Sequence, residues 1–245
     1  MLVAAAHWDD DRKRFRINRP PADHVTGMCV DSGGFTAARR WGAYPWEPAR
    51  YADFIRAVSR DVPLAFCAVM DYACEPHVNR SILATNQQRI DATHANECAC
   101  RDTAPDLPWL PVLQGDNIAE RAYDLARRRE LGILPMSYAG IGSVCGRGAV
   151  AARKVVRFYA GQLFGVTYHA FGMHIGTMDD RVVPGALKSW DSYSWTWARG
   201  ARLERTPEYV RRDDENYASY ARRLAGLYIE KTIDPRLDRP IQHIL

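Results

Sequence analysis

Seven short apolar runs punctuate the chain, at residues 2–6, 28–30, 63–70, 110–113, 136–139, 166–171 and 186–190. Polar or glycine residues gather directly after the runs, and most of the stretches between them carry apolar residues at helical spacing. Short bounded runs of this kind suit strands buried on both faces. Strands that alternate with helices argue for parallel βαβ units. Seven candidates come close to the eight of a (β/α)8 barrel, in which every strand's C-terminal end faces one mouth. A doubly wound sheet would carry a G-x-G-x-x-G turn after a strand and an acidic residue further on, and no strand here has one. The expectation is an α/β chain, a single TIM-like (β/α)8 barrel domain over residues 1–245.

Helices are expected over residues 48–60, 118–131, 149–164 and 206–227, with helical spacing also over 78–98. In the first, Tyr51, Phe54, Ile55 and Val58 share one face. Arg127, Arg128 and Arg129 close another, where cations suit the helix dipole. Residues 7–24 read as a charged loop, and residues 39–46 as an aromatic and basic one.

A net charge of +4 permits an anionic partner without requiring one. No stretch reaches the roughly 18 apolar residues of a membrane helix. The first six residues run into His7, Trp8 and three aspartates, which is a strand's pattern and not a signal peptide's. Of the six cysteines, three lie in strand-like runs, so reduced thiols in a cytoplasmic protein are expected. Cys98 and Cys100 with His94 lack the four ligands of a tetrahedral site and are not read as a metal centre.

Around one barrel mouth would stand Asp31, Asp71, Gln114, the 140–146 loop, Phe171 and Asp191. Two aspartates can divide nucleophilic and acid–base work. A third, with Gln114 and backbone amides, can read the edge of a heterocycle. An aspartate after a strand is also a common helix cap, so the argument rests on their shared position after successive strands.

The order of motifs is more specific. Asp31-Ser32-Gly33-Gly34-Phe35 is followed by Met70-Asp71 with Cys74 and Pro76, then Val112-Leu113-Gln114-Gly115, then Gly140-Ile141-Gly142-Ser143-Val144. Phe171-Gly172-Met173-His174-Ile175-Gly176 and Trp190-Asp191-Ser192 complete the series. This order resembles the tRNA-guanine transglycosylase superfamily. The resemblance implies that Asp191 is the nucleophile that attacks C1′ of a guanosine and that Asp31 is the general acid/base. It implies that Asp71, Gln114, Gly115, Gly142 and Ser143 bind the base, sandwiched by Phe35 and Phe171. No cofactor is implied.

The chain departs from the family in three places. Asp71-Tyr72-Ala73-Cys74 stands where the family has Asp-Glu-Cys, Thr36 replaces a glutamine, and no cysteine follows Cys145, so the family's zinc subdomain has no ligands here. A trimmed relative of this kind is most similar to the phage and bacterial DNA 7-deazaguanine transglycosylases. That similarity implies a flipped guanine nucleotide in DNA and a 7-deazaguanine such as preQ0 as partners, in a host cytoplasm if phage-encoded. A homodimer is among the assemblies it allows. Exchange in tRNA and a non-catalytic partner subunit of the same fold are the alternatives. Base extrusion requires groups that hold the vacated strand. Arg39, Arg40, Trp41 and Trp46 are candidates, as are Trp195, Trp197, Arg199 and Arg202. His169 and His174 are expected to be buried packing residues.

Overall fold

A computed structural model describes residues 2–5, 8–16, 27–76, 82–178, 180 and 182–191. Trp195, Trp197, Arg199, Arg202 and the helix expected over 206–227 lie outside the described residues. The chain is mixed α/β and divides into two compact units, one formed by Met1–Ser143 and one beginning at Val144.

In the first unit, β1 (Leu2–Ala4), β4 (Met28–Asp31), β5 (Leu64–Ala68) and β6 (Trp109–Leu110) form a parallel sheet in the order β1-β4-β5-β6. A small antiparallel hairpin, β2 (Trp8–Asp9) and β3 (Arg14–Phe15), follows β1. Between β4 and β5 come α1 (Gly34–Arg40) and α2 (Pro48–Val58); α3 (Asn86–Thr103) leads to β6. Pro111 separates β6 from β7 (Val112–Leu113), because proline has no amide hydrogen for the ladder. β7 pairs in parallel with β8 (Tyr138–Ile141) across α4 (Ile118–Leu131).

The second unit holds α5 (Ala149–Gln162), β9 (Thr167–Ala170), a 3₁₀ turn at Ile175–Met178, α6 (Val183–Ala186) and β10 (Leu187–Trp190). β9 and β10 pair in parallel, with an irregularity at Leu187/Ser189. Among the described residues no helix is long and apolar enough to cross a membrane.

Local chemistry sets the helix ends. Pro48 opens α2, and Tyr51, Phe54, Ile55 and Val58 form its buried face, as their spacing predicts. Within the stretch of helical spacing over 78–98, α3 begins at Asn86, where Thr85 and Gln88 make a reciprocal capping box. Asn117 caps α4 by accepting from the Glu120 amide, and Gly132, left-handed at φ 69°, ends it.

α3 and α4 meet through charge. Arg128 donates to Glu97 Oε2 at 2.7 Å, to Asp124 Oδ1 at 3.1 Å and to the Val112 carbonyl at 2.8 Å. His94 Nε2 lies 2.7 Å from the same Asp124 oxygen, and all four side chains are buried. Arg128 therefore does not serve as a solvated cation at the helix end. Burial works against its charge, and the two carboxylates outweigh that effect and hold it protonated. Removing the cation takes one partner from each of two buried carboxylates, leaving Glu97 with Arg101 and Asp124 with His94. Arg128→Met is expected to lower unfolding free energy by about 3–5 kcal/mol, measured by urea titration; a loss under about 1 kcal/mol would mean that the network is dispensable.

Candidate functional site

In the first unit the site grows from the ends of four strands. Asp31 is the last residue of β4, half-buried, and its carbonyl accepts from the Ala5 amide at 2.9 Å. Behind it Gly33 turns at φ 73° and Gly34 starts α1. A side chain at Gly34 would run into the Asp71 carbonyl oxygen and come within 2.7 Å of Tyr44 Oη, so no larger residue fits. The two glycines bring the backbone against Asp71. The segment after them is helix and not loop, so Arg39 and Arg40 stand exposed in the last turn of α1.

Asp71 follows β5 and is the hub. Ser32 Oγ donates to its Oδ1 at 2.6 Å, and Gln114 Nε2 donates to its Oδ2 at 2.5 Å. Ser143 Oγ in turn donates to Gln114 Oε1 at 2.5 Å and accepts from the Cys74 amide at 2.8 Å. Tyr44 Oη lies 2.8 Å from both Ser32 Oγ and the Asp71 carbonyl oxygen. Ser143 sits at φ 53° after Gly142, where a side chain would collide with the Gln114 amide. Arg121 of α4, fully buried, donates to the Ser143 carbonyl at 3.1 Å and to the Gly142 carbonyl at 3.4 Å. Gly115 packs against the same arginine.

The structure thus brings Asp71, Gln114, Gly142 and Ser143 together. Gln114 is fully buried with both ends of its amide engaged, so it positions the Asp71 carboxylate. Phe35 packs on Ala38 and Ala73, with the Arg39 guanidinium 5.5 Å from its ring centre. Trp46 is only 4% exposed, inside an aromatic cluster with Trp8, Phe15 and Tyr44, which leaves it no face for a nucleobase. The residues after Asp31 were legible as a turn, but the roles of Ser32 and Tyr44 depend on contacts across 39 and 27 positions that no local pattern reveals.

The second unit holds the other carboxylate. Asp191 follows β10, and its Oδ1 accepts from the Gly172 amide at 3.1 Å and from His169 Nε2 at 3.2 Å. A carboxylate only accepts, so His169 carries a proton on Nε2, while its Nδ1 lies 2.6 Å from Ser189 Oγ. Both of these donors meet Oδ1. Phe171 stands edge-on to His169, with ring centres 4.5 Å apart. His169 is buried as expected, but it touches Asp191, a partnership its sequence position did not signal. His174 is exposed and accepts from the Gly176 amide, so it is not a packing residue. Trp195 and Arg199 lie outside the described residues. Among those residues no group of three or more His, Cys, Asp or Glu is placed to hold a metal ion.

Chemically, Asp71 offers a carboxylate to planar N–H donors and Asp191 offers one that is oriented at a single oxygen. Burial pushes the Asp71 carboxyl above its ordinary 3.8, with hydrogen bonds from Ser32 and Gln114 working in the opposite direction. Between those two values the folded chain holds a proton that the unfolded chain has released. The stability Asp71 contributes is therefore full below 3.8 and is lost as pH rises through the folded value. Relative to Asp71→Asn, which cannot titrate, the wild-type protein should gain stability in urea as pH falls from about 7 to about 4.5; an opposite trend would contradict the shift. No protein-family model matches the sequence, and no curated protein matches it.

Proposed function

We propose that this chain is a glycosyltransferase that exchanges guanine in DNA for a 7-deazaguanine base through a covalent glycosyl-aspartate. The observation that carries the reading is the Ser32–Asp71–Gln114–Ser143 relay, which holds a carboxylate between two donors at the strand ends where a purine edge would be read. In this reading the parallel strands belong to one (β/α)8 barrel, whose mouth would gather both carboxylate sites.

Asp191 attacks C1′ of an extruded guanosine, and the bond from C1′ to N9 breaks as Asp31 supplies a proton to the departing base. The glycosyl ester then meets the incoming 7-deazaguanine. Asp31 takes that base's N9 proton, N9 bonds to C1′, and the carboxylate of Asp191 leaves. Two inversions restore the original configuration, as in retaining glycosidases. The Gly172 amide and His169 fix Asp191 by one oxygen, which supports the other as the attacking atom. Asp71 accepts from the N1 and 2-amino hydrogens of the base, and Gly142, Ser143 and Gly115 shape the turn beside it. Phe35 and Phe171 supply flat apolar surfaces. The choice of DNA over tRNA rests on the likeness to the DNA 7-deazaguanine transglycosylases.

The test is incorporation of labelled guanine or preQ0 into duplex DNA, with bulk tRNA in parallel. Asp191→Ala should abolish exchange, by at least about 10³-fold, and Asp31→Ala should reduce it about 10²- to 10⁴-fold. Incorporation into tRNA alone would overturn the choice of substrate, and none into either would overturn the activity.

Base recognition has its own signature. Ionised Asp71 accepts two N–H groups, and protonation removes one acceptor. Affinity for the free 7-deazaguanine base is expected to fall as pH falls through the raised Asp71 value, by about tenfold per pH unit below it. Calorimetry across that range reads the effect, and a flat profile would remove Asp71 from the binding role.

A further inference from the structure

The hairpin that follows β1 takes no part in the chemistry above, yet it is built with care on both faces. Its inner side chains, Trp8 and Phe15, are opposite one another and pack edge to face at 5.0 Å. Phe15 lies 4.8 Å from Trp46 and 4.4 Å from Phe54 of α2, so the hairpin is pinned to the body of its unit by an aromatic cluster. Trp46 continues to Tyr44 at 5.4 Å, the residue whose hydroxyl meets Ser32 and the Asp71 carbonyl. A second strap joins the loop to α1: Asp10 Oδ2 accepts from Trp41 Nε1 at 3.0 Å and from Arg40 at 3.2 Å.

The outer face carries four exposed cations, Arg12, Lys13, Arg14 and Arg16, beside one exposed carboxylate, Asp11. Asp9 lies 3.5 Å from Arg16 and Asp10 pairs with Arg40, whereas Arg12, Lys13, Arg14 and Arg39 make no ion pair among the described residues. A concavity of about 550 Å³ at the hairpin is lined by Arg12, Arg14, Arg16, Asp9, Asp11 and Phe15. The tip itself is specialised. Asp9 Oδ1 accepts from the Arg12 amide at 3.1 Å, and the next residue, Lys13, adopts φ 47°, a left-handed conformation that glycine or asparagine holds with less strain. A lysine there presents its charge at the end of a rigid turn between two arginines.

We infer that the β2–β3 hairpin is a docking finger for the sugar–phosphate backbone of duplex DNA. It seats the strand through Arg12, Lys13 and Arg14, with Arg39 extending the basic face along α1. The inference rests on the exchange reading for its choice of nucleic acid and on the hairpin's own charge and rigidity for the contact. Backbone contacts of this kind position without reading sequence, and each carries a salt dependence.

The experiment is fluorescence anisotropy with a labelled duplex over a range of salt, on wild-type protein, on the Arg12→Ala/Lys13→Gly/Arg14→Ala protein and on Lys13→Gly alone. The triple variant should bind about tenfold more weakly or worse, with the slope of log affinity against log salt smaller by about 3. Lys13→Gly should lose about 1 from the slope while its melting temperature stays level or rises, which separates charge from folding. Duplex affinity and slope unchanged in either variant would overturn the inference, as would a loss confined to tRNA. Binding needs no turnover, so the two readings fail separately. Hairpin-dependent binding without any base exchange sinks the activity alone, and exchange with hairpin-independent binding sinks the finger alone.

Discussion

A carboxylate withdrawn from water at the end of a sheet must be given donors, and much of the first unit follows from how Asp71 obtains them. One donor comes from the turn after β4 and one from the residue after β7, so two strand ends are tied to a third by single hydrogen bonds. Both donors are themselves held, Ser32 by Tyr44 and Gln114 by Ser143. The glycines are explained by the same need. Gly34 lets the α1 start lie against the Asp71 carbonyl, and Gly142 lets the β8 turn lie against the Gln114 amide. The Ser32-Gly33-Gly34 turn is a close-packed joint.

The joint has a foundation in α4. Arg121 reaches the carbonyls of Gly142 and Ser143, and Arg128, two turns further along the same face, reaches the Val112 carbonyl beneath Gln114. One helix therefore fixes both strand ends that support the carboxylate's second donor. The face is charged because its partner α3 presents Glu97 and His94 where an apolar helix would present leucine or valine. Buried ion networks often add little net stability compared with apolar packing, but they admit few alternative registers, which suits a helix that must hold two carbonyls in place.

These features sort the legible from the illegible. The parallel strands were visible because each is a short apolar run, and α2 was visible because its buried face is apolar at helical spacing. The α3–α4 contact hid from the same method, since most of its buried residues are charged or polar and the pattern of apolar side chains carries no trace of those. The hairpin hid because two-residue strands have no periodicity, and α1 because it begins with glycine and ends in two arginines. Trp46 misled for a related reason: an aromatic residue amid arginines looks exposed, yet its neighbours in space are Trp8 and Phe15, 38 and 31 positions earlier. Sequence order located Asp31, Asp71, Gln114, Ser143 and Asp191 at strand ends; which groups hold them came from contacts far apart in the chain.

The carboxylates of Asp71 and Asp191 are held in different ways. Asp71 is gripped at both oxygens, one by a hydroxyl and one by an amide, which fixes the plane of the carboxylate and suits an acceptor that must meet two parallel N–H groups. Among the described residues Asp191 is held at one oxygen, by a backbone amide and an imidazole. In the proposed exchange the attacking oxygen would follow C1′ as it passes from one partner to the other, and one-sided restraint would permit that. In that exchange, a carboxylate fixed in plane at Asp71 and one restrained from one side at Asp191 would divide recognition from reaction as a double displacement requires.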